Sequence, residues 1–235
     1  MLGEIIINGK SSKDFNVYLT DAEAYGTAER DFESIEVDGR NGNLIIDNGR
    51  YKNRDIEYPC VILDDFVDNY SAFIGYILNQ RGYIRIESTF NPDEYIYGVF
   101  KGEVLPKTKT YGDKGNFKIT FERKPQRFLK EGELPIEFNS NGSLYNLYSG
   151  TALPLVRVYG TGSVSIGSKA ITVNSVDGYV DIDCEIQDAY KGTINCNSNI
   201  TLNNYTFFEL VPGINNIILG NGISKIVITP RWWKI

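Results

Sequence analysis

Asp181 and Asp183 stand two residues apart in the stretch YVDIDCEI. On a strand such residues share a face with Cα atoms about 6.5–7 Å apart, a spacing that suits a glycosidase carboxylate pair or a calcium site. The same alternation, with Val180, Ile182, Cys184 and Ile186 on the other face and Glu185 continuing the acidic row, also describes the wet side of a half-buried strand. The pair is therefore read as a solvated face.

The second candidate is VDGRNGNLIIDNGRY, residues 37 to 51, with Gly39, Gly42 and Gly49. A phosphate loop must open a helix, whose unpaired N–H groups and dipole hold the anion. Here Asn43, Leu44, Ile45 and Ile46 favour a strand, Asn48-Gly49 is expected to turn the chain again, and no Lys-Ser or Lys-Thr follows. A structural turn fits better than a nucleotide site. The tyrosine-rich stretches DEYIYGVF and SLYNLYSG fit a stacking platform for sugars or bases, but also ordinary strand packing.

The chain has no histidine, the residue that most often supplies general bases, zinc ligands and triad imidazoles at neutral pH. Its three cysteines, Cys60, Cys184 and Cys196, form no C-x-x-C pair, and no Gly-x-Ser-x-Gly elbow appears. No catalytic residue, cofactor or metal site is expected, and the chain is read as a non-enzyme. Cys184 falls on a buried strand face, and Ile194 with Cys196 on another, so both cysteines read as small apolar side chains rather than a disulfide. An odd cysteine total suits a reducing cytoplasm better than secretion.

A net charge of −6 and a pI near 4.9 would repel a phosphate backbone, so sequence-specific nucleic-acid binding is not expected. Hydrophobic residues make up 42% and charged residues 23% of the 235 positions, a globular composition large enough for two cores. The opening MLGEIIINGK is too short and too acidic for a signal peptide, and no apolar run approaches the roughly 18 residues of a membrane span. Membrane insertion is not expected.

Most of the chain must be short strands, punctuated by Asn8-Gly9, Asn41-Gly42, Asn48-Gly49, Asn141-Gly142, Asp177-Gly178 and Asn221-Gly222, pairs that tolerate the positive φ of tight turns. One segment differs. Phe66, Tyr70, Phe73, Ile74, Ile77 and Leu78 recur at three- and four-residue steps, predicting an amphipathic helix over about 65–80, capped by Asp64 or Asp65 and stopped by Gly82. Such a helix must dock on a sheet, because ordering each residue costs about 1–2 kcal/mol that only burial can offset. The mixture of prolines, charges and glycine in KPQRFLKEGELP sets a boundary at about 132. Residues 1–132 read as a β domain with one helix, and 133–235 as a two-sheet antiparallel sandwich. Adjacent residues of a strand face opposite ways, so one of Trp232 and Trp233 enters the core and the other needs cover from another element or another subunit.

Together, ESIEVDGRNGNLIIDNGRYKNRDIEYPCVI, GYIRIESTFNPDEYIYGVF, GNFKITFERKPQRF, ALPLVRVYGTGSVSIG, YVDIDCEIQDAY, ELVPGINNIIL and the terminal PRWW resemble, in order and spacing, the distal tail protein (Dit) family of siphophages. The resemblance implies a mainly-β fold: an N-terminal ring-forming β domain with one helix, then a galectin-like β-sandwich. It implies a virion protein of the tail tip, assembled in the host cytoplasm, whose homohexameric ring joins the tail tube protein to a tail-associated lysin or fibre protein and in some phages supports receptor-binding proteins. Arg40, Asn41, Tyr51, Trp232 and Trp233 are the residues then assigned to protomer or partner contacts, with Arg40 pairing a carboxylate or a neighbouring protomer. The alternative is a carbohydrate-binding, galectin-like adhesion module, although a working galectin without histidine departs from that pattern.

Overall fold

Asn8 and Gly9 both take positive φ, 48° and 83°, the pattern of a type I′ turn, and join β1 (Ile5–Ile7) to β2 (Lys10–Ser11). The computed structural model describes residues 2–21, 26–109 and 113–235. The chain divides into two units, Met1–Arg127 with Ile235 and Phe128–Lys234, where composition suggested a break at about 132.

The first unit continues with β3 (Val17–Leu19), β4 (Arg30–Ile35), β5 (Leu44–Tyr51), β6 (Arg54–Ile62), α1 (Phe66–Leu78), β7 (Ile84–Ser88), β8 (Asn91–Phe100), β9 (Lys107–Lys109) and β10 (Lys114–Arg123). Its main sheet runs β2-β1-β7-β8-β10-β6-β3, with β9 also on β10. The longest ladder joins β6 to β10 over nine residue pairs, from Ile62 opposite Gly115 to Arg54 opposite Arg123. Alternation decides its faces: Ile56, Tyr58, Cys60 and Ile62 go inward from β6, and Phe117, Ile119 and Phe121 from β10, all buried. Each such side chain contributes about 1.5–3 kcal/mol.

Helix α1 lies on this core through Phe66, Phe73 and Ile77, all buried, with Tyr70 and Ile74 packed at the margin. Phe66 stacks on Tyr70 at 5.3 Å, and Tyr70 meets Phe117 edge-on at 5.0 Å. Two sequence expectations fail here. Leu78, placed on the apolar face, is exposed at the last turn, where the sheet no longer covers it. Neither Asp64 nor Asp65 caps the helix by its side chain: Asp65 is itself left-handed, φ 47°, and the Oδ1 of Asp64 accepts from its N–H instead. The first helical N–H, that of Phe66, donates to the Asp113 carbonyl, so a neighbouring loop does the capping.

From β11 (Arg127–Leu129) the second unit adds β12 (Ile136–Phe138), β13 (Gly142–Asn146), β14 (Leu155–Gly160), β15 (Gly162–Ile166), β16 (Lys169–Val173), β17 (Tyr179–Asp183), β18 (Asp188–Lys191), β19 (Ile194–Asn195), β20 (Ile200–Leu202), β21 (Gly213–Leu219), β22 (Ile223–Thr229) and β23 (Trp233–Lys234). One sheet is ordered β12-β22-β14-β17-β18-β19 and the other β13-β21-β15-β16-β20, all pairs antiparallel. Val156, Val158, Val180 and Ile182 from the first meet Val164, Ile166, Ile171 and Ile217 from the second in one buried cluster. The chain is thus mainly β, with one α-helix among the described residues.

Candidate interaction surfaces

β4 and β5 form a two-stranded sheet of their own, joined to no other strand among the described residues. Ile35 pairs with Leu44, Ser34 with Ile45, Glu33 with Ile46 and Phe32 with Asp47. The run Leu44-Ile45-Ile46 does not alternate, so apolar side chains emerge on both faces. Leu44 and Ile46 point one way with Ile35, and Ile45 points the other with Phe32. All five are exposed, Phe32 at 48% and Ile45 at 55%. Two-stranded hairpins are marginal in water, and exposed apolar clusters of this kind are a feature of contact surfaces.

Ion pairs stiffen the base of this hairpin. Arg30 meets Asp47 at 2.5 Å, Arg50 meets Asp31 at 2.6 Å and Lys52 meets Glu29 at 2.8 Å. The hydrogen bond from Arg30 holds the Asp47 carboxyl below its ordinary value, and that from Arg50 does the same for Asp31. Tyr51 lies at the base, half-buried, with the Arg30 guanidinium 5.6 Å from its ring centre. Contrary to the sequence reading, Asn48-Gly49 does not turn the chain. β5 runs straight through it, the register slips between Asp31 and Phe32, and Gly49 takes φ 69° as the extra backbone of a bulge.

The turn itself is the glycine stretch. Gly39 and Gly42 take φ 76° and 81°, and the Arg40 N–H donates to the Val37 carbonyl at 3.2 Å. Arg40 and Asn41 are both exposed at this tip, and Arg40 makes no ion pair among the described residues. The loop builds no phosphate cradle, since a strand and not a helix follows it.

The acidic pair of the second unit corrects its sequence reading. Asp181 and Asp183 are each only 5% exposed. Arg157, directly across on β14, grips Asp181 with Nε on Oδ1 at 2.7 Å and Nη2 on Oδ2 at 2.9 Å. Arg231 grips Asp183 with Nη1 on Oδ1 at 2.6 Å and Nη2 on Oδ2 at 2.8 Å. Alternation identified the face correctly but not its cover, because arginine stems and the Tyr179 ring, 4.3 Å from the Arg157 guanidinium, roof the carboxylates. Both carboxylates are held in bidentate arginine pairs. The arginine of PRWW, Arg231, is thus the partner of Asp183.

Trp232 enters the core, while Trp233 is half-buried and donates from Nε1 to the Thr151 carbonyl at 3.0 Å. Their own unit covers both. The cysteines are free, Cys60 and Cys184 buried and Cys196 half-buried; burial pushes the Cys184 thiol up to about 12. Ile194, expected to be buried beside Cys196, is 66% exposed, because the two-residue β19 is the edge strand of its sheet. It rims a cleft of about 460 Å³ that also takes in Tyr179, Lys191 and Asn195. Lys191 donates to the Asp177 carbonyl, and its ammonium lies 5.3 Å from the Tyr179 ring. Asp64, Asp65 and Asp113 form an exposed acidic group beside the start of α1, and nothing there beyond the carboxylates points to a cation.

No family model and no curated protein sequence matches the chain. Solved structures do. The SPP1 Dit protein, described as a paradigm of hub adsorption apparatus in Gram-positive infecting phages, aligns at TM-score 0.76 with 12% identity, over 97% of this chain and 98% of its own. This chain has the Dit fold. Chains from the phage P2 baseplate in its activated conformation align at 0.51 with calcium, 12% identical over 97% of this chain and 96% of theirs. With strontium the score is 0.50, 13% identical over 96% and 97%. The likeness to Dit runs through both units, so the second is part of the shared fold and not an addition to it.

Proposed function

We propose that the chain is a structural distal tail protein of a siphophage or prophage, a hub whose six copies close into a ring between the tail tube protein and the tail-associated lysin or fibre protein. The observation that carries this reading is the free hairpin β4–β5. It stands within a Dit fold that spans both units, and its exposed Phe32, Ile35, Leu44, Ile45 and Ile46 have no partner strand or covering layer among the described residues. A protein with such a surface works by contact. Closure of identical copies satisfies surfaces that one copy leaves bare. Arg40, Asn41 and Tyr51 belong to this hairpin and share its role; the sandwich then faces outward as the support for receptor-binding proteins. Location at the tail tip follows from the same reading, and the net charge of −6 suits a hub past which DNA must travel without adhering.

Native mass spectrometry of the full chain tests the proposal: a mass of six chains supports it, and a monomer that stays single even with tail tube protein overturns it. The alternative, a sugar-binding sandwich, would use the cleft beside Tyr179. Against it, the ring that would stack on a sugar is engaged by the cations of Arg157 and Lys191. Glycan-array binding by the full chain would reverse that ranking.

A further inference from the structure

The hairpin's two faces are not equivalent in charge. Asp47, on the face of Phe32 and Ile45, is held by Arg30. Glu33 lies on the other face beside Ile46, between the Ile35–Leu44 pair and the base, and has no basic partner among the described residues; nor do Glu36 and Asp38 further toward the tip. This face offers three aliphatic side chains and an unpaired acidic edge.

Elsewhere in the same unit is a surface of the opposite kind. A cleft of about 410 Å³ is lined by Pro59, Val61, Leu105, Phe117, Lys107 and Lys118, with no carboxylate in its wall. Leu105 is 78% exposed, and none of the described residues fills the cleft. Lys118 is tied to Glu57 at 2.6 Å, whereas Lys107 makes no ion pair among the described residues. An apolar cleft with a free ammonium at its rim complements an apolar face with a free carboxylate, and the described residues of one copy cover neither.

We propose that the Ile35–Leu44–Ile46 face of one copy's hairpin seats in the Leu105–Phe117 cleft of the next copy, with Glu33 set against Lys107. This inference rests on the ring reading and names its contact. The surfaces are different patches of one chain, so the contact is head-to-tail, the kind that closes into a ring when its rotation permits. The strand segments involved, of about six residues, span roughly 20 Å, enough to cross the cleft. A nucleic acid or an anionic membrane would be repelled by Glu33, Glu36 and Asp38, which leaves a second copy as the occupant the charges select.

Glu33→Lys, Lys107→Glu and the double variant of the full chain, compared with wild type by native mass spectrometry and analytical sedimentation, test this. Both side chains are exposed, so all variants should melt as wild type does. Each single reversal should weaken assembly by at least about tenfold through like-charge contact, and the double variant should recover most of the loss. Assembly unchanged in both single variants, or a double variant no better than either, overturns the contact and leaves the ring standing on another surface. A wild-type chain that never assembles, alone or with tail tube protein, overturns contact and ring together.

Discussion

Arg231 presents both terminal nitrogens to the carboxylate of Asp183, at 2.6 and 2.8 Å, from a left-handed backbone with φ 58°. A non-glycine residue in that region carries strain of order 1 kcal/mol, tolerated where surrounding bonds hold it. Here the Arg231 N–H also donates to the Gly132 carbonyl at 2.8 Å, so side chain and backbone fix the segment that leads into the two tryptophans.

Removing the carboxylate leaves the half-buried Arg231 guanidinium only the looser Glu185 carboxylate, 3.5 Å away, and Asp183→Ala should lower stability by about 2–3 kcal/mol in a denaturant titration. Burial raises the Asp183 carboxyl, but the hydrogen bonds and charge of Arg231, with N–H groups of Glu185 and Ile186, outweigh it and the net direction is down. A carboxyl lowered by folding adds stability that is complete above its unfolded value, near pH 4, and is lost as pH falls through the lower folded value. Wild type and variant should therefore converge in thermal melts as the pH is taken below about 4.

Gly222 has φ 88°, and a Cβ there would lie 2.2 Å from the Thr161 carbonyl oxygen. Both constraints are backbone, with no flexible side chain to yield. Gly222→Ala should cost about 2–4 kcal/mol, read as a lower denaturant midpoint with an unchanged slope.

On the second face of the hairpin, Phe32→Ser combined with Ile45→Ser removes the largest exposed side chains. Because neither packs on a core within the chain, the melting temperature should hold within a few degrees, about the effect of ordinary surface changes, while the assembled mass falls. A full-size assembly from this variant would exclude that face from the ring.

Thiol accessibility separates the three cysteines. A charged thiol reagent at neutral pH should modify Cys196 in the folded chain and reach Cys60 and Cys184 only with denaturant. Burial raises both of those thiols and keeps the thiolate form scarce. Three fast modifications without denaturant would contradict the buried placement.

Alternation and turn chemistry made most of this fold legible. Val180, Ile182 and Cys184 are buried where period two put them, although Ile186, past the end of β17, is 64% exposed; Asn8-Gly9 turns as that dipeptide does, and Phe66, Phe73 and Ile77 face the sheet at helical spacing. What escaped depended on distant residues. Nothing in YVDIDCEI announces that Arg157 and Arg231, far along the chain, roof its carboxylates, and Asn-Gly at 48–49 looks the same in a bulge as in a turn. The tip residues Arg40 and Asn41 were legible through their glycines. The exposed apolar side chains around them were not, since a strand's composition does not say whether anything covers it.

The nine-pair ladder between β6 and β10 has a mechanical consequence. Tension drawing those two strands past each other loads their rungs in parallel, whereas the same tension at a strand end would part them singly, like a zipper. Hauled along that axis, this sheet is a tether, and single-molecule pulling between residues 54 and 123 should meet far less force than pulling between residue 54 on β6 and residue 115 at the opposite end of β10.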